Sequence, residues 1–162
     1  MKIPLTILAV AALGATAFWY LQDDGEPPLD SALSAELATR AVPLVEDEIS
    51  DGADRMACAV QPVGTEPAST RRAADVRVVY GWASCEARQG VRSGTLVPVA
   101  VHLAPATRVE YPADWDWSTG DRLDRIFPER LHDELLGGER SDETNAALES
   151  ALQARLRDLA GR

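Results

Sequence analysis

Asp114, Trp115, Asp116, Trp117 and Ser118, followed by Gly120 and Asp121, crowd carboxylates, hydroxyls and large aromatic rings into one short stretch. Alternating oxygen ligands of this kind open a calcium-binding EF-hand loop. The pattern then breaks: its sixth position is Thr119, where the sharp turn needs Gly, and its twelfth is Arg125, where a bidentate Glu belongs. A turn whose carboxylates cap the following helix accounts for the same residues, and no metal or cofactor is expected. The indoles offer a different chemistry, because their faces stack on sugar rings and attract cations. Trp115, Trp117, Asp114 and Asp116 are therefore the candidate ligand-binding residues, with a cell-wall glycan as the ligand class. The competing reading folds the two rings back over the end of a sheet.

Signals for catalysis are thinner. There is no Gly-x-Ser-x-Gly elbow, phosphate loop or His-Glu-x-x-His motif. His102 shares a strand face with Leu96 and Ala100, and His132 sits beside Asp133 and Glu134, so both read as satisfied or solvated structural residues. A hydrolase would have to assemble carboxylates such as Asp116, Asp121 and Glu110 in space. Cys58 and Cys85 are the only cysteines, and neither lies in a Cys-x-x-Cys motif or near a His. In an oxidising compartment they pair as one structural disulfide.

That compartment is read from the amino terminus. Residues 3–21 are uncharged and apolar, close to the roughly 20 residues that span hydrocarbon as a helix. Lys2, a short apolar core and Ala15-Thr16-Ala17 also fit a secretory signal cleaved after Ala17. Phe18, Trp19 and Tyr20 favour the uncleaved anchor, in which aromatic rings sit at the outer interface. Either way Lys2 stays inside and the remainder faces out, tethered to the bilayer through residues 3–21 or released. The chain carries a net charge of −10 although Lys2 lies in the leader, so the part beyond the leader is more acidic still. Such a surface repels phosphate backbones, and nucleic acid is not expected as a partner. All later cations are Arg, scattered rather than clustered into a carboxylate-recognition site.

The chain divides into three segments: a signal or anchor over residues 1–21, an acidic Pro-rich spacer over 22–29, and an extracytoplasmic α+β domain over 30–162. Asp30 or Ser31 caps a first helix reaching Ile49, with Leu33, Leu37, Ala41, Leu44, Val45 and Ile49 at helical spacing and Pro43 to kink or split it. Glu46, Asp47, Glu48 and Asp51 then fall at the helix end where negative charge is unfavourable. They mark either a site for a cation or basic partner or simply a solvated face. From Arg55 the period changes to two. A strand through Met56, Cys58 and Val60 leads into a loop over Pro62–Thr70, followed by strands near Val76–Ala87, Thr95–Leu103 and Arg108–Tyr111. Pro98 places the third strand at an edge or a bulge. Short turns favour an antiparallel meander of about four strands. Helices come next, around Leu123 and Ile126, from Pro128 to Gly137-Gly138, and from Ser141 onward with a stripe of Ala147 or Leu148, Leu152, Leu156 and Leu159. That stripe docks on the sheet or, less simply, on a partner helix.

The run Val78-Val79-Tyr80-Gly81-Trp82-Ala83-Ser84-Cys85, Gly94 through Pro98-Val99-Ala100-Val101, Pro112 and Ile126-Phe127-Pro128 resembles small exported bacterial proteins of unassigned function over about residues 78–136. Where that pattern places Ser-Gly-Pro, this chain has Leu96-Val97-Pro98. The resemblance implies a sheet followed by helices and no particular reaction. The sequence therefore points to a membrane-anchored, non-catalytic binding or scaffolding domain at the outer cell surface. A glycan-binding module or a hydrolase is the alternative.

Overall fold

The computed structural model describes residues 28–50, 55–88, 94–112, 120–137 and 140–161. The leader, nearly all of the spacer and the tryptophan stretch from residue 113 to 119 lie outside them, so expectations about Ala17, Asp114, Trp115, Asp116 and Trp117 do too. Among the described residues no helix is long and apolar enough to cross a membrane.

The first helix, α1 (Ser31–Ile49), begins where a capping side chain allows it. Asp30 accepts from the N–H groups of Ala32 (3.0 Å) and Leu33 (3.3 Å), filling two donors that a first turn leaves orphaned. Leu33, Leu37, Ala41 and Val45 recur every four residues and are buried as one stripe. Pro43 stands on the exposed side and the helix runs unbroken past it. Its missing donor removes the single bond to the Thr39 carbonyl.

Four strands form an antiparallel meander in chain order: β1 (Met56–Glu66), β2 (Val78–Ala87), β3 (Gly94–His102) and β4 (Arg108–Glu110). β1 is longer than the sequence suggests, because Pro62–Glu66 continues the strand instead of opening the loop. The reason lies in the direction of the Pro62 nitrogen. Arg88 donates to the Arg55 carbonyl (3.0 Å), which fixes the alternation of the β1–β2 ladder. Met56, Cys58, Val60 and Pro62 then occupy non-hydrogen-bonded pairs and turn their backbone polar groups out of the sheet. A proline there removes no ladder bond. Pro98 follows the same logic: it opposes Trp82 with its nitrogen turned away from β2, and β4 pairs only with Ala100–His102. Half of an interior strand thus behaves as an edge.

The register shifts between Pro62 and Gly64, and the displaced β1 backbone presses on Gly81. A Cβ at position 81 would lie 2.4 Å from the Gln61 carbonyl oxygen, so only glycine admits that approach. Gly81→Ala is expected to lower stability by about 1–3 kcal/mol, as overpacking against a backbone does, and urea denaturation checks this. An unchanged midpoint would mean the bulge relaxes freely.

Both faces of the sheet are covered. On one, α1 lies over Cys58, Val60, Val79, Ala83, Cys85, Val97, Val99, Val101 and Val109. On the other, Ala57, Ala59, Val78, Tyr80, Trp82 and Ala100 meet the C-terminal helices. These are α2 (Gly120–Ile126), α3 (His132–Leu136), reached through a 3-10 turn at Glu129–Leu131, and α4 (Asp142–Ala160). Ser141 caps α4 by accepting from Thr144 N–H (3.1 Å), and Leu148 and Leu152 are its buried stripe. Double-sided burial explains why β2 is apolar at both parities, a pattern more usual in parallel sheets. The domain is α+β with a four-stranded antiparallel sheet between helical layers.

Cys58 and Cys85 face each other across β1 and β2 and form the disulfide (S–S 2.09 Å). Non-hydrogen-bonded pairs bring side chains closest, so strand register alone places the sulfurs together.

Candidate functional site

The outer edge of β1 is where strand backbone groups turn away from the sheet. Of its outward groups, Met56 N–H donates to Ser50 Oγ (3.1 Å) and the Met56 carbonyl accepts from Arg88 Nε (3.2 Å). Cys58 N–H donates to Glu46 Oε1 (3.1 Å), and Pro62 has no donor. The Cys58 carbonyl and both backbone groups of Val60 have no such partner among the described residues. They floor a groove of about 340 Å³. Ala38, Thr39, Val42 and Pro43 of α1 make one wall, and Ala151 and Arg155 of α4 make the other.

One end of the groove is bridged by a clamp. Arg155 grips Glu46 with both arms, Nε to Oε1 at 2.9 Å and Nη2 to Oε2 at 2.7 Å, while Arg88 Nη2 stands 3.6 Å from Oε2. The fork geometry suits a carboxylate, and the contact ties α1 to α4 around the strand between them. Burial works to raise the Glu46 pKa. The Arg155 hydrogen bonds, the Cys58 N–H and the charges of Arg155 and Arg88 outweigh it and leave the carboxyl more acidic than its ordinary value of 4.5. The misplaced acidic run is thereby partly explained: Glu46 faces inward to its arginines, while Asp47 and Glu48 are exposed and Asp51 lies outside the described residues.

A carboxyl acidified by folding adds stability above its unfolded pKa and loses it as the pH falls through the folded value. Glu46→Gln is expected to destabilise the domain at pH 7 by about 2–3 kcal/mol, somewhat below the range for a fully buried pair because Arg155 keeps some solvent contact. Chemical denaturation at pH 7 and pH 3 tests this. The gap between parent and variant should narrow at pH 3, and a gap independent of pH would show that the charge of Glu46 is not what stabilises.

The two histidines, Glu110 and Tyr80 are engaged within the fold. His102 Nε2 lies 2.7 Å from Glu110 Oε2, and His132 Nε2 lies 2.9 Å from the Phe127 carbonyl. Neither ring contacts a hydroxyl or thiol among the described residues. Glu110, a candidate carboxylate for hydrolysis, is thus held by His102 and approached by Arg108 (3.4 Å). Asp116 and the Asp121 side chain lie outside the described part of the chain. Tyr80 donates to Glu66 Oε2 (3.1 Å), and burial, then the Glu66 carboxylate, push its phenol up to about 12. It stays a neutral donor. Among the described residues no group of three His, Cys, Asp or Glu is placed to hold a metal.

Sequence reasoning missed the groove because it turned β1 into a loop at Pro62. The outward alternation of Met56, Cys58 and Val60 was the available signal. No family model, no curated protein and no solved structure matches the chain.

Proposed function

We propose that the protein is a membrane-tethered or exported, non-catalytic binding domain that holds a partner in the groove beside β1. The observation that carries this reading is the floor of that groove, where the Val60 N–H and carbonyl have no hydrogen-bond partner among the described residues and lie between two helical walls. Exposed edges invite strand pairing and natural domains usually blunt them. Here the blunting devices, Ser50, Arg88, Glu46 and Pro62, stop on either side of Val60. The Cys58–Cys85 disulfide fits an oxidising compartment, and the apolar residues 3–21 fit delivery across a membrane.

The test is photo-crosslinking in intact producing cells. A benzophenone side chain replaces Ala151, which lines the groove, or Ala146, an exposed residue of α4 that does not. A discrete adduct at 151 and none at 146, removed by protease added outside the cell, is expected. Equal labelling at the two positions, or protection from the protease, rejects the reading.

A further inference from the structure

We infer that the groove binds an extended, cationic peptide segment as an added strand beside β1, a deepening that rests on the binding reading above. Val60 opposes Ala83 in a non-hydrogen-bonded pair, so on its outer side it is set to exchange both backbone hydrogen bonds with one residue of an incoming antiparallel strand. Two residues further along that strand Cys58 adds nothing, because its carbonyl is covered, the residue being only 1% exposed. Its N–H is already held by Glu46. At the other end Pro62 again offers no donor. The edge therefore accepts more than it donates, and an added strand supplies most of the N–H groups.

The walls extend this asymmetry. Pro43 has no N–H to give the Thr39 carbonyl, which leaves another acceptor on the α1 wall. Glu36 and Asp47 are exposed three residues before Thr39 and four after Pro43, on the same side of α1. The cation in the groove, Arg155, is committed to Glu46. Carbonyl dipoles and carboxylates at the rim favour Lys or Arg flanking the paired segment. Ala38, Val42 and Ala151 leave room for small or aliphatic side chains at its centre.

A second copy of the chain is the obvious rival occupant, since exposed edges often pair with themselves. Its own β1, however, is walled by α1 and α4 and bridged by the Glu46–Arg155 pair. Two such edges cannot approach to strand-pairing distance, about 4.8 Å. A lone extended segment carries no such walls of its own.

The experiment uses the 15N-labelled full chain in neutral detergent micelles, titrated with an acetylated, amidated pentapeptide of Lys, Ala, Val, Ala and Lys. Controls carry Glu in place of both Lys, or an N-methyl group on the central Val. The Val60 amide is expected to shift on titration, and its hydrogen exchange to slow at least about tenfold at saturation. Both controls should bind at least about tenfold more weakly, a difference of roughly 1.4 kcal/mol. Ala151→Trp and, separately, Thr39→Trp fill the groove from exposed positions; each should abolish the shift while leaving the thermal midpoint unchanged. Equal binding of the Lys and Glu peptides overturns the charge assignment. Equal binding of the N-methylated peptide overturns strand addition. If no peptide moves Val60 while position 151 still crosslinks, this inference fails and the binding reading stands; if neither occurs, both fall. A doubled mass in place of a peptide complex would assign the groove to a second copy.

Discussion

Replacing Cys58 and Cys85 together with alanine is expected to lower the unfolding free energy by about 3–4 kcal/mol. The cross-link closes a loop of 27 residues, and removing it restores that freedom to the unfolded chain. A second contribution comes from the folded side. Both cysteines are only 1% exposed and pack with Val60, Val79 and Ala83 beneath α1, so truncation leaves small cavities as well. Thermal denaturation of parent and double variant measures the sum, with a fall in midpoint of roughly 10 °C or more. A shift of only a degree or two would mean that strand pairing alone supplies the stability ascribed to the bond. Cys85→Ala by itself should match the double variant to within about 1 kcal/mol, because the thiol left behind is a small hydrophobe in an apolar site.

Phe127→Ala should be comparably damaging, by about 3–5 kcal/mol. Phe127 is among the largest fully buried side chains and joins Leu123, Leu131 and Leu135 in the cluster beneath Tyr80 and Trp82. Its N–H donates to the Leu123 carbonyl (2.8 Å) and its own carbonyl meets His132 (2.9 Å), so it also closes α2 and starts the turn toward α3. Short helices gain little from propensity and depend on such anchoring. Hydrogen exchange separates two outcomes. Deprotection confined to residues 120–137 is expected, while protection in β1–β3 falls only by the global loss of stability. Uniform deprotection throughout would show that the α2–α3 segment and the sheet form one cooperative unit.

How much was legible in the sequence depended on how local the cause was. The first helix could be read to its termini, because a capping Asp30 and a four-residue apolar spacing are contiguous signals. The disulfide was legible because Cys58 and Cys85 are the only two cysteines, and neither lies in a Cys-x-x-Cys motif or near a His. Pro98 was read as a sign of an edge or a bulge; β3 is an interior strand, and the shortness of β4 leaves an edge at Pro98. Pro62-Val63-Gly64-Thr65 misled for the opposite reason: its turn-forming composition is local, whereas the tolerance of Pro62 comes from a pairing alternation set by β2. Nothing local announced that Glu46 would meet Arg155, or that His102 would meet Glu110 across β3 and β4. The two-sided apolar pattern of β2 was visible, but which helix covers which face is a property of the assembled domain.

Glu46 and Arg155 lie 109 positions apart. A chain synthesised from its amino terminus completes α1 and all four strands before its second guanidinium arrives, and in that interval the flank of β1 is only half guarded. Nascent or prematurely ended copies would share a sticky rim through which they could join one another. α4 thus acts as a late seal on that rim.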